Sequence, residues 1–66
     1  MRTFETVKRN EKVTLAIPAS RPIKTLDGVL HEAGQVYKVL GTHASFVRLS
    51  RVSDCAKLMV LPETLN

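Results

Sequence analysis

Tryptophan is absent from this chain, cysteine occurs once, and glycine and proline occur three times each. The single Cys55 excludes an intrachain disulfide. With His31 and His43 at unrelated spacings it makes no recognisable set of metal ligands, so no metal and no cofactor is expected. One unpaired thiol fits a reducing compartment, and Cys55 is expected as a small, half-buried residue in or next to a turn. Long apolar runs are missing too. The longest, residues 58–61, is too short to span a bilayer. Residues 1–12 mix charges with single apolar residues and lack the apolar stretch of a secretion signal. A cytoplasmic protein without membrane association is the expectation.

The chain is also short. Its 66 residues leave room for one small domain, 1–66, and a chain of this size buries only about 60% of its unfolded surface. One such core supplies about 3–5 kcal/mol of net stability. With no disulfide and no metal to add to it, self-association into a homo-oligomer is expected. The hydrophobic content of 44% is that of a globular domain and not of a disordered tail.

Charge is unevenly spread. Residues 1–24 carry six basic side chains (Arg2, Lys8, Arg9, Lys12, Arg21 and Lys24) against Glu5 and Glu11, whereas residues 25–66 carry four of each sign. All of the net charge of +4 therefore lies in the first third. Such an asymmetry steers a polyanion or simply keeps a small protein soluble.

Punctuation along the chain reads as β structure. Pro18 and Pro22, in the run Pro-Ala-Ser-Arg-Pro, fit neither a helix interior nor a central strand and mark a loop. Before it, residues 12–17 alternate, with Val13, Leu15 and Ile17 on one side and Lys12, Thr14 and Ala16 on the other, the pattern of a half-buried strand. After it, residues 23–26 and 29–31 flank Asp27-Gly28, a hairpin signal expected to form a type I′ turn. Residues 35–40 read as a strand closed by Gly41, with a turn at residues 42–44. Residues 45–51 alternate with Val47 and Leu49 inward and Phe46, Arg48 and Ser50 outward. Residues 56–61 form the last strand, with Leu58 and Val60 inward. Pro62 ends it, and residues 63–65 add one helical turn. Five or six short strands at this spacing predict a mostly β fold, a small SH3-like barrel.

A rival pattern runs through the middle. Leu26, Val29, Leu30, Ala33, Val36, Tyr37 and Leu40 also match a helical stripe, with Thr25 as its cap and Gly41 as its stop. Residues 45–52 then become a second helix, and Ser45, Phe46 and Arg48 open a recognition helix of a dimeric helix-turn-helix DNA-binding regulator. Against this, Gly28 and Gly34 would sit inside the first helix at about 1 kcal/mol each, and the valines favour strands.

Signatures of catalysis are scarce. Gly28, Gly34 and Gly41 are spaced as turn residues and make no phosphate-binding loop. Asp27 and Glu32 each sit beside a glycine turn and make no acid pair. His31 and His43 are the only general bases, and both are expected in solvent-facing or capping roles. A non-enzymatic module is expected. Residues 58–62, Leu-Met-Val-Leu-Pro, and the closing Leu65-Asn66 resemble the end of the plasmid-encoded type II dihydrofolate reductases, short SH3-like barrels assembled around a shared pore. The resemblance is confined to this C-terminal end. That family's pore motif, Val-Gln-Ile-Tyr, falls on residues 57–60, which here read Lys-Leu-Met-Val, so neither site residues nor activity carry over. A small oligomeric enzyme with a site between subunits stands as a third reading.

The candidate site is a surface. On the barrel reading Lys38, Phe46, Arg48 and Lys57 project outward from neighbouring strands, with Arg21 and Lys24 adding charge from the first third, while Tyr37 packs inward. Cations around one exposed ring suit nucleic acid or an acidic protein segment, the ring stacking and the cations tracking phosphate or carboxylate. A solvated charged face, with Phe46 capping the barrel or buried in a subunit contact, is the alternative.

Overall fold

A computed structural model describes residues 2–66. Its strands are β1 (Lys12–Thr14), β2 (Ile23–Lys24), β3 (Leu30–His31), β4 (Val36–His43), β5 (Phe46–Arg51) and β6 (Lys57–Val60). Short 3-10 turns lie at Phe4–Thr6 and Pro62–Thr64, and no α-helix occurs among the described residues. The all-β expectation therefore holds. The helix-turn-helix does not: residues 26–40 contribute strands β3 and part of β4 with turns between them, and Phe46 and Arg48 lie in a strand. The glycines decide the outcome, since Gly28 takes φ 86, which an α-helix cannot accommodate.

Four strands form one antiparallel sheet in the order β1-β4-β5-β6, and β2 and β3 form a separate pair. These ladders form no closed barrel. β1 and β6 are the edges of the larger sheet. They are linked indirectly, because the chain after β6 turns through Pro62–Thr64 and makes one antiparallel bridge, Leu15↔Leu65. Ala16 N–H donates to the Thr64 carbonyl at 2.6 Å and Asn66 N–H to the Thr14 carbonyl at 3.0 Å. Pro62 is suited to that turn, since its fixed φ fits the first helical position and its missing N–H is not needed there.

Strand alternation makes the core. Val13, Leu15, Tyr37, Val39, Val47, Leu49, Leu58, Val60 and Leu65 are buried, and Ile17 and Ile23 pack against them half-buried. Each inward position predicted from alternation is found inward. Fully burying side chains of this kind stabilises by about 1.5–3 kcal/mol apiece.

Three turns differ from expectation. At Asp27-Gly28 the hairpin is one residue longer than a type I′ turn. Thr25 N–H donates to the Val29 carbonyl and Gly28 N–H to the Thr25 carbonyl, both at 3.0 Å, so Leu26, Asp27 and Gly28 form a three-residue loop. Gly28 alone takes positive φ in it, the pattern of a turn closed by a glycine bulge. Gly41 does not end its strand. The β4–β5 register shifts between Val39 and Gly41, leaving Leu40 as the extra residue of a β-bulge. β4 then runs on to His43, which pairs with Phe46 across the two residues Ala44 and Ser45. Ala44 takes φ 54, a conformation that disfavours a Cβ. Cys55, expected half-buried, is exposed at φ 62, because its N–H reaches back to the Arg51 carbonyl at 2.8 Å to close the β5–β6 turn. No helix among the described residues is long and apolar enough to cross a membrane.

Candidate functional site

The register fixes which side chains share the outer face of the large sheet. Lys12 pairs with Lys38, Lys38 with Ser50, and Ser50 with Lys57. These four residues therefore form one row across all four strands, spanning about 14 Å at the usual strand spacing. Beyond it lies the row Gly41–Arg48–Met59, followed by the pair His43–Phe46. On the other side, Thr14 faces Val36, whose carbonyl accepts from Val52 N–H at 3.0 Å. Lys12, Lys38, Arg48 and Lys57 are all exposed, and Phe46, Met59, Val36 and Val52 lie between 39% and 53% exposed.

Four of the six predicted site residues (Lys38, Phe46, Arg48 and Lys57) thus share one face. Arg21 and Lys24 do not join it through any strand register. Arg21 is exposed in a turn that its own N–H closes onto the Pro18 carbonyl, and Lys24 is exposed on the separate β2–β3 pair. Lys12 and Ser50 complete the row and escaped prediction as site residues. Alternation had already placed both outward, but only the pairing of β1 with β4 sets Lys12 beside Lys38.

Among the described residues, no aspartate or glutamate occupies a register position on this face. The nearest acids are engaged elsewhere. Glu11, next to Lys12, is paired with Arg2 and accepts from Lys8 N–H at 3.1 Å. Those bonds hold its carboxyl below the usual range. Asp54, just past β5, receives a two-pronged contact from Arg51, Nε to Oδ1 at 2.9 Å and Nη2 to Oδ2 at 2.8 Å. That fork, helped by Ala56 N–H, lowers the Asp54 pKa to about 2. Among the described residues the cations of the face are left with one internal contact, Lys57 Nζ to Ser50 Oγ at 3.3 Å.

The opposite face carries a second polar group, which the sequence reading missed. Arg51 continues the inward alternation of Val47 and Leu49 and is only 7% exposed. Its Nη1 donates to the Leu30 carbonyl at 2.7 Å and to Gln35 Oε1 at 2.8 Å. Gln35 Oε1 also accepts from Glu32 N–H at 2.9 Å and from the Tyr37 hydroxyl at 3.3 Å. Tyr37 in turn lies 2.7 Å from His31 Nδ1. His31 is fully buried, not solvent-facing as expected, because its strand position pairs with Ile23 on the side that covers the core. Its Nε2 has no partner among the described residues. Burial, reinforced by the Arg51 charge, pushes the His31 pKa down and keeps the ring neutral, while burial raises that of Tyr37. This network ties the β2–β3 hairpin to the sheet. In the fold it acts as a structural brace, and His31, its one imidazole, is fully buried. His43, the other histidine, is exposed at the end of β4. No cluster of three or more potential metal ligands occurs among the described residues.

Compared with protein-family models, with curated proteins and with solved structures, the chain matches none.

Proposed function

We propose that the chain is a non-enzymatic binding module that holds single-stranded nucleic acid on the outer face of its four-stranded sheet. The observation that carries this reading is the acid-free row Lys12–Lys38–Ser50–Lys57 next to Arg48 and the exposed Phe46 ring. Cations at strand spacing track a phosphate backbone, and a ring standing beside them stacks on a base without reading its identity. Arg21 and Lys24 enter this reading as long-range charge. The fold finds its place in the same proposal as an incompletely closed SH3-like barrel, supported by the return of the C-terminal segment onto β1. Self-association belongs to it through the free edge of β6, beside the exposed Met59; a monomer mass at every concentration in sedimentation equilibrium removes that part.

Fluorescence anisotropy with a labelled oligothymidylate tests the binding reading. Four phosphate contacts predict a log–log salt slope of about −3 for a single strand. Arg48→Ala with Lys57→Ala weakens binding without unfolding the domain. Absence of binding at low salt overturns the proposal, and binding of a polyglutamate peptide in its place transfers the face to an acidic protein partner.

A further inference from the structure

We propose that the depression between Lys12 and Lys38, floored by Ser50, anchors one phosphate group of the bound strand. This rests on the reading of the outer face as a nucleic-acid surface and names the point at which contact is most specific.

Three features single out this place on the face. The first is Ser50 itself. It stands at an outward register position yet is only 8% exposed, because it sits between Lys38 and Lys57, whose aliphatic stems can lie across it. Its Oγ accepts from Lys57 Nζ at 3.3 Å, and among the described residues no acceptor takes its own hydrogen. A serine hydroxyl carries one donor and two acceptor sites, so this one retains a donor directed by nothing inside the protein. The second feature is charge. Lys12 and Lys38 border the depression and Lys57 approaches from the other side of Ser50. Three lysines thus share the row or the depression that holds this hydroxyl, and only Lys57 Nζ is seen in contact with it, while Asp54, just past β5, is committed to Arg51.

The third feature is size. The depression has a volume of about 210 Å3 and is bordered also by Arg51, Val52 and Cys55. Pockets for whole small-molecule ligands run to about 300–1,000 Å3. This one suits a tetrahedral anion, with the rest of the ligand continuing outward over the sheet. A phosphodiester seated there takes the Ser50 hydroxyl hydrogen and charge-assisted bonds from the lysines. The strand then leads past Arg48 towards Phe46, two rows away on the same face.

The experiment uses the whole chain and two probes. Inorganic phosphate is titrated while amide resonances are followed, and the labelled oligothymidylate is titrated against the wild type, Ser50→Ala and Arg48→Ala. Phosphate is expected to shift Ser50, Val52 and Cys55 in a saturable way, and Ser50→Ala is expected to abolish that response. For the oligothymidylate, Ser50→Ala is expected to weaken binding about tenfold, the scale of a hydrogen bond to a charged group, with an unchanged urea midpoint. Phosphate shifts that spread evenly over every lysine-bearing segment overturn the anchor. So does oligothymidylate binding that Ser50→Ala leaves as in the wild type, in which case the broader reading survives. No oligothymidylate binding by the wild type overturns the broader reading itself.

Discussion

Arg48 and Arg51 lie three residues apart on the same strand and lead opposite lives. Arg48 stands on the outer face, exposed, in a neighbourhood without acids. Arg51 points inward and is held by Asp54, Gln35 and the Leu30 carbonyl. An odd separation along a strand places two side chains on opposite faces, and that alone converts one residue type into a free cation and a structural clamp. The comparison extends to the regions around them. The outer face keeps its cations unneutralised, which favours an anionic partner. The inner cluster satisfies nearly every donor and acceptor it holds, which favours a single packed arrangement.

If the two regions differ in this way, their variants should separate stability from binding. Removing the ring at the centre of the inner cluster, Tyr37→Ala, is expected to cost about 3–5 kcal/mol, close to the whole stability of so small a domain, and urea denaturation should show little folded population. Replacing Lys12, Lys38 and Lys57 together by alanine should leave the urea midpoint near that of the wild type while oligothymidylate affinity falls about 100-fold at low salt. A comparable loss of stability in the lysine variant would erase the distinction between the faces. Tyr37→Phe is milder. It keeps the ring but strips His31 Nδ1 of its partner, at about 1–3 kcal/mol, and should leave oligothymidylate affinity unchanged.

The smallest effects concern pH, and their signs follow from the depressed pKa values. His31 binds a proton more readily in the unfolded chain than in the folded one. Its contribution to stability is therefore fully present above its ordinary value of 6.5 and is lost as the pH falls below it. Asp54, lowered from 3.8 to about 2, adds a second loss in the same direction but only in strong acid. Thermal unfolding followed from pH 7 downward should show the first decline without the second until the carboxylate range is reached. A melting temperature that is flat between pH 7 and 5 would contradict the buried, neutral state of His31.

The inner cluster also shows where a sequence reading stops. Tyr37 was legible as an inward residue of a strand. Arg51 obeyed the same alternation with Val47 and Leu49, but a charge at an inward position makes sense only once its partners are known. Those partners come from separate turns and from β3, and none of the spacings between them is regular. His31 was misread for the same reason: its burial depends on Ile23 opposite and on the core beneath. At the Gly41 bulge the reading failed differently. A glycine marks a special backbone conformation, yet the letter alone does not say whether the chain turns or bulges and continues.

By itself, the order of residues determined the strand class of this protein and the inward or outward sense of most of its side chains, because a period of two is a property of the extended backbone. It also placed the net positive charge in the first third of the chain. Only the tertiary structure decided where usable charge gathers. Three of the four cations on the outer face, Lys38, Arg48 and Lys57, come from the part of the chain whose charges cancel on paper. They remain unbalanced in space because strand pairing sets them side by side, while the acids of that same stretch lie in turns or are bound to Arg51. Electrostatic fields depend on distance and not on sequence order, so the charged face was written in the pairing of the strands.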